Sequence, residues 1–270
     1  VRDYGVSIKL KTSLPSYDFL TVKNGKEALF ALIENKADVF ISNRAVAEFL
    51  IEKHILSGLS FSSISKNFDL NNTLLTISTK KSNPVLADII QKSMNTITED
   101  KLILLRKKWF GRNANIPKLK LKLKLKLTEE EALYLVNNPI LKAQNDMDYP
   151  PFNYMLEGNP LGYSIDLFRL ISEMLNIEVE YIQDKVWSEY IDLFKNKKLD
   201  VLLNIADIPQ RHSFANFTSN TGDIATFAVI RKNNKIDVAS QKNIAKMRIA
   251  LVEDNAVNDS IRKALPEAMF

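Results

Sequence analysis

Four positions in the second half of this 270-residue chain have the chemistry to meet a small ligand: Arg211, Asp146, Tyr149 and Trp187. Arg211 lies in the run Asn204 to Thr218 (NIADIPQRHSFANFT), behind an apolar strand-like stretch and a proline, ahead of Phe214 and Phe217. A guanidinium fork there could clamp a carboxylate with two charge-assisted hydrogen bonds. The plain alternative is a solvated surface arginine, and spacing alone does not overturn it. Asp146 to Phe152 (DMDYPPF) follows another strand-like segment and carries a carboxylate and the Tyr149 ring. Loops at the carboxyl ends of strands are where open α/β sheets bind ligands; the competing reading is a surface turn with Tyr149 and Phe152 half buried. Trp187 stands at a strand-to-helix junction, where a place in the core competes with a stacking platform.

Composition narrows the chemistry. The chain has no Cys and two His, His54 and His212, which speaks against a zinc or cysteine-nucleophile site. The same lack of Cys fits an envelope or secreted protein without disulfides. The net charge of +5 comes largely from Lys clustered around 118–126, and elsewhere the signs are mixed, so a nucleic-acid surface is not expected. No apolar run reaches the ~20 residues of a membrane span. At 46 % apolar residues the chain can bury one large core or two smaller ones.

The elements that must position these residues follow from periodicity. Helical spacing covers 27–34, 45–54, 84–110 (with a break near Thr98), 162–175 and 187–195. Strand-like runs cover 37–42, 74–78, 141–145, 179–182, 200–205, 225–231 and 247–252. Thr128 with Glu131 reads as a capping box opening a further helix. This strand–helix alternation predicts crossover connections and a mainly parallel sheet. Residues 111–117 read as a linker. Leu119 to Leu127 alternates Lys and Leu, the period of a strand with one wet face, read as an edge or connector strand or as a cationic strand touching a membrane.

The end of the chain rhymes with its beginning. Val252 to Phe270 and Val1 to Phe19, laid over each other at an offset of 251, share Val, Asp, Val, Leu, Pro and Phe. A long period that restarts near the end suggests a tandem array of large domains.

The order of these segments resembles the periplasmic solute-binding proteins of the amino-acid type, the bilobed flytrap domains. The resemblance rests on Asp146-x-x-x-x-Pro151-Phe152, Gly162-Tyr163-Ser164-Ile165-Asp166-Leu167, Trp187, Leu199-Asp200-Val201-Leu202, Pro209-Gln210-Arg211 and Phe217-Thr218. In the first half it rests on Glu27-Ala28-Leu29, Lys36-Ala37-Asp38-Val39, Asn43, Ile77-Ser78-x-x-Lys81 and Lys108-Trp109-Phe110-Gly111. The nearest subgroup is the tandem flytrap domains of bacterial sensor kinases, whose joining Leu-Thr-x-x-Glu segment is matched by Leu127-Thr128-Glu129-Glu130-Glu131. The fold this implies is α/β with type II lobes, a parallel-dominated sheet flanked by helices. Residues 1–112 would be lobe two and the closing helices of a first domain, 113–139 a linker and connecting helix, and 140–270 lobe one and the start of lobe two of a second.

The resemblance also implies roles. Arg211 falls at the ligand-carboxylate arginine, Asp146 and Tyr149 in the first ligand loop, Trp187 at an aromatic flanking the ligand, and Asn204 on a strand edge that offers backbone groups. Asn43 sits where amino-acid binders place a carboxylate for the ligand's ammonium, and an amide cannot neutralise a buried cation. The segment Ser219-Asn220-Thr221-Gly222 also departs from the family's usual Pro-Tyr. The function implied is ligand-driven lobe closure in the periplasmic part of an inner-membrane sensor, with no catalysis in this region and no cofactor; the parent would be a histidine kinase or diguanylate cyclase. Partners would be an amino acid or other small carboxylate, a neighbouring flytrap domain in the same chain, and a second copy in a homodimer. The alternatives are a transporter-binding protein, an enzyme (for which no convergent acid–base pair stands out, although Asp146 and Glu189 both fall near the expected cleft) and a flytrap that binds nothing.

Overall fold

Short polar side chains start most of the helices. In the computed structural model the described residues are 20–63, 73–110, 125–146, 148–207, 209–224, 226–234 and 247–252. Asn24 accepts from the Glu27 amide at 2.9 Å and opens α1 (Gly25–Ile33). Asn43 caps α2 (Arg44–Lys53), and Asn83 with Pro84 behind it opens α3 (Pro84–Thr96). The break expected near Thr98 separates α3 from α4 (Glu99–Phe110). Thr128 and Glu131 form the expected reciprocal box at the head of α5 (Glu129–Asn137). Helices α6 (Tyr163–Leu175) and α7 (Trp187–Lys195) complete the set. Leu125 to Leu127, the described end of the Lys/Leu stretch, is not strand; these residues lead into the Thr128 cap. The other residues of that stretch through 124, and both copies of the terminal repeat except Val252, lie outside the described residues.

The chain divides into two units, one from Val1–Thr73 with Ile224–Phe270 and the other from Leu74–Asp223. The boundaries anticipated at 112 and 140 both fall inside the second unit, so strands 73–80 and 201–206 share one sheet through antiparallel pairing.

The first unit holds β1 (Leu20–Val22), β2 (Val39–Asn43), β3 (Leu59–Ser62), β13 (Thr226–Arg231) and β14 (Ile249–Val252), in the order β1-β14-β2-β13-β3. The first three run parallel, and β13 is antiparallel to both its neighbours. Its core is Leu29, Leu32, Phe40, Leu50, Val229 and Ile249, all at most 1 % exposed. Each such side chain contributes roughly 1.5–3 kcal/mol on burial.

The second unit holds β4 (Thr73–Lys80), β5 (Ile140–Gln144), β9 (Glu178–Ile182), β10 (Val201–Ala206) and β11 (Ala215–Phe217), in the order β11-β4-β10-β5-β9. Again three strands are parallel, β9, β5 and β10, and β4 is antiparallel to β10 and β11. Strand β12 (Gly222–Ile224) also pairs with β4. A small antiparallel sheet, β6 (Asp148–Tyr149), β7 (Asn153–Leu156) and β8 (Asn159–Leu161), rides on the loop after β5. The two main sheets therefore share one plan: edge, central and third strands parallel, then an antiparallel strand, then a second edge. This mixed α/β plan, with helices flanking each sheet, agrees with the fold expected from the sequence.

Candidate functional site

The carboxyl ends of β5, β9 and β10 bring five of the six sequence-expected residues to one rim of the second unit. Asp146 and Tyr149 follow β5, Trp187 opens α7 after β9, Asn204 lies near the end of β10, and Arg211 ends the 3-10 turn Pro209–Arg211 beyond it. The sixth, Asn43, belongs to the first unit and is taken up separately.

The loop after β5 is fixed by buried amides. The Leu203 amide donates to Gln144 Oε1 at 2.8 Å, so a side chain takes a place in the β10–β5 ladder. Gln144 Nε2 donates to Asp146 Oδ2 at 3.0 Å, turning that carboxylate back toward the strand. Asn153 Oδ1 accepts from Asn145 Nδ2 at 2.6 Å and from the Asp146 amide at 3.1 Å. The Tyr190 hydroxyl donates to the Asn145 carbonyl at 2.6 Å. Burial raises the Tyr190 phenol well above its usual range, and the nearby Asp146 carboxylate pushes it further the same way. Gln144, Asn145 and Asn153 are fully buried, and of their side-chain polar atoms all but Asn145 Oδ1 have a partner. None of these positioning residues was singled out from the sequence; the signal was a pair of amides ending an apolar strand.

Behind the loop, Phe152 packs between Tyr149, Phe110 and Tyr163, with ring centroids 5.5, 5.2 and 6.5 Å away. Phe152 is buried and Tyr149 half buried, so this ring is held at the rim by the aromatic cluster below it. Gly162 makes the approach possible. Its φ is +130°, and a Cβ there would stand 2.1 Å from the Phe152 carbonyl oxygen.

Arg211 Nη1 donates to the Ala206 carbonyl at 3.0 Å, and its guanidinium lies 5.7 Å from the Trp187 ring centroid. Trp187 is half buried rather than a core residue, and the Arg211 guanidinium lies within cation–π range of its ring. Asn204 has φ +57° at a register shift between β10 and β4, where three β10 steps oppose two on β4. Such bulges re-aim a side chain. Here Asn204 Oδ1 accepts from the Ser164 hydroxyl at the head of α6, while Asn204 Nδ2 is enclosed and has no partner among the described residues. The Ser219–Gly222 segment is tied down: Ser219 N donates to Gln91 Oε1 at 2.6 Å, and Thr221 N and Oγ1 donate to the Leu75 carbonyl at 2.8 and 2.7 Å.

Asn43 spends its Oδ1 on the Ala45 amide at 2.9 Å as the cap of α2. That oxygen serves the helix cap, and as a neutral amide it cannot offset the charge of an ammonium. Among the described residues no group of His, Asp and Glu could hold a metal ion, and no helix is long and apolar enough to cross a membrane.

Residues 141–269 match the family of bacterial extracellular solute-binding proteins, family 3. No curated protein matches the chain. Among solved structures, the unliganded L-cystine solute receptor of Neisseria gonorrhoeae is similar at 25 % identity, with a TM-score of 0.27 over 30 % of this chain; the chain spans only 36 % of that receptor. The probable amino-acid ABC transporter extracellular-binding protein of Bacillus subtilis is similar at 12 % identity, with a TM-score of 0.41, over 96 % of this chain and 85 % of that one. A phosphate-binding protein of a Streptococcus pneumoniae phosphate ABC transporter is similar at 8 % identity, with a TM-score of 0.41, over 100 % and 95 %.

Proposed function

We propose that this chain is an extracytoplasmic sensing region of a bacterial signal-transduction protein, built from tandem flytrap domains in which a bound small carboxylate draws two lobes together. The observation that carries the reading is the Arg211 guanidinium 5.7 Å from the Trp187 ring, in a unit whose parallel strands β5, β9 and β10 are followed by, or carry, Asp146, Tyr149, Trp187 and Asn204. That is where open α/β sheets take ligands. The match of 141–269 to extracellular solute-binding proteins supports binding as the task of this half. Closure then follows as a population shift: a ligand with contacts to both lobes favours the closed state by its differential affinity.

The tandem arrangement is supported by strand plan and sequence together. In the second unit the central strand β5 reaches the edge strand β9 through α6. In the first unit the equivalent pair is β14 and β1, at opposite ends of the chain. The segments that follow β14 and precede β1 are the two copies of the repeat. In this reading 1–112 belongs to the closing part of a first flytrap, and 140–270 to lobe one and the start of lobe two of a second.

The experiment is calorimetric titration of the full chain with amino acids and small mono- and dicarboxylates. Arg211→Ala is expected to abolish the strongest response. Equal affinity for every carboxylate in wild type and Arg211→Ala removes the site assignment. A transporter component is told apart by expressing the parent: a kinase or cyclase output that responds to the same ligand supports sensing, and its absence supports transport. A domain that binds nothing and transmits motion is the second reading, favoured by Asn43, whose carbonyl oxygen is committed to the α2 cap.

A further inference from the structure

Each of the last four residues of β10 is held by a side chain from a different element. The Leu203 amide donates to Gln144 Oε1 on β5 at 2.8 Å, and Asn204 Oδ1 accepts from the Ser164 hydroxyl on α6. The Ile205 carbonyl accepts from Thr76 Oγ1 on β4 at 2.8 Å. The Ala206 carbonyl accepts from Arg211 Nη1, at the end of the 3-10 turn, at 3.0 Å. A strand in regular register needs no such set, because the ladder itself pairs its backbone groups.

The register supplies the reason. Leu202 stands opposite Ser78 and Ile205 opposite Thr76, so β10 carries one residue more than β4 over this interval. Asn204 lies within it at φ +57°, a left-handed conformation that Asn tolerates better than most side chains. An extra residue changes the face that every later side chain takes. A slip of one residue would restore a regular ladder, and it would break the Ser164–Asn204 and Thr76–Ile205 bonds. Ser164 and Thr76 are each 3 % exposed, so both act from the interior.

We propose that Ser164 and Thr76 are positioning residues for the candidate ligand site: they hold the Asn204 bulge so that the Ala206 carbonyl meets Arg211 and the guanidinium lies beside Trp187. The path is short, since Ala206 is two residues beyond Asn204 and the guanidinium it receives is 5.7 Å from the Trp187 ring centroid. An arginine whose plane is fixed before a carboxylate arrives loses less side-chain freedom on binding it. That consequence for affinity rests on the reading of Arg211 as the carboxylate's partner; the positioning of the guanidinium does not.

The test uses the full chain labelled with 5-fluorotryptophan, whose two resonances, from Trp109 and Trp187, are assigned by Trp109→Phe. Arg211→Ala is expected to shift the Trp187 resonance and so to mark the position of a ring without its arginine. Thr76→Val keeps the shape and loses the hydroxyl; it and Ser164→Ala are expected to move the Trp187 resonance toward that position while Trp109 stays in place. Thr76→Ser is expected to restore it. A Trp187 resonance indifferent to Arg211→Ala, or unmoved in both Thr76→Val and Ser164→Ala, overturns the proposal. So does a joint movement of both resonances, which marks general loosening. In calorimetric titration with the same amino acids and carboxylates, each of these two variants is expected to weaken the strongest response about fivefold, the worth of one net hydrogen bond. The two readings fail separately. A wild-type chain that binds none of these ligands removes the carboxylate reading, while the Trp187 resonance still decides the positioning. Binding that is lost in Arg211→Ala, with Trp187 unmoved in Thr76→Val and Ser164→Ala, keeps the carboxylate reading and refutes the positioning.

Discussion

Asp38 and Asp200 hold the same node in their respective sheets. Each stands just before the third parallel strand of its unit. Asp38 N donates to the Arg248 carbonyl at 2.8 Å and Asp38 Oδ2 accepts the Arg248 amide at 3.0 Å; Asp200 N donates to the Lys142 carbonyl at 2.8 Å and Asp200 Oδ2 accepts the Lys142 amide at 3.0 Å. The antiparallel strand supplies the cation in both: Arg231 Nη2 reaches Asp38 Oδ1 at 3.0 Å, and Lys80 Nζ reaches Asp200 Oδ1 at 2.7 Å. One carboxylate thus ties central, third and antiparallel strands together.

The Asp38 node is the stronger. Hydrogen bonds from the Arg248 guanidinium, aided by the Arg248 amide and by Arg231, outweigh the opposing effect of burial and hold the Asp38 carboxyl down from 3.8 to about 2. A carboxyl depressed in the folded state stabilises fully above its unfolded value and loses that contribution as pH falls from about 4 toward 2. Asp38→Asn is expected to cost about 1–2 kcal/mol at neutral pH after allowance for solvent screening, and to flatten the acid limb. Both tryptophans, Trp109 and Trp187, lie in the second unit. Hydrogen exchange of β2 and β14 peptides, not fluorescence, is therefore the measurement. Exchange that is equally sensitive to acid in the variant would refute the assignment.

Gly162→Ala is expected to destabilise the second unit by more than about 2 kcal/mol, because φ is +130° and the new methyl collides with the Phe152 carbonyl. Tryptophan-detected urea denaturation measures this. Gly158→Ala, with φ +79° and nothing within 4 Å, is the control for backbone strain without collision and should cost less.

Asp166 gathers three donors: Lys108, Trp109 Nε1 at 2.9 Å and Arg169 Nη1 at 2.8 Å. Its side chain is 9 % exposed. Trp109→Phe should cost about 1 kcal/mol, the net value of one hydrogen bond, whereas Asp166→Ala should cost about 2 kcal/mol by removing three hydrogen bonds at once, two of them to half-exposed cations that stay solvated. Equal losses in the two variants, by thermal melting, would show that Asp166 is a surface charge only.

Tyr190→Phe removes the hydroxyl that holds the Asn145 carbonyl at 2.6 Å. The fold should lose about 1 kcal/mol. Amide exchange at Asn145 and Asp146 should rise more than in β10, and ligand affinity should fall without any lost ligand contact. Uniform exchange across the unit would mean that the hydroxyl is not what orders this loop.

Much of this protein was legible from local sequence, and for local reasons. Apolar spacing placed six of the seven helices among the described residues, and Thr128 with Glu131 marked the head of the other because both cap partners lie within one turn. The motif around Leu199-Asp200-Val201-Leu202 and the run to Arg211 put the candidate rim at the end of β10. What local pattern cannot encode is pairing between distant strands. Strands β1, β3, β7, β8, β11 and β12 are three or four residues long, too short for a period, and exist through their neighbours. The same holds for the partner of β4, which lies some 120 residues away on β10, and for the partner of β14, which lies at the other end of the chain. It also holds for Asn43 and Arg44: their residue types could be read in order, but only the tertiary structure decided that the amide would cap a helix and the guanidinium would lie across two rings from other strands. Periodicity is a property of neighbours along the chain, whereas a site is a property of neighbours in space.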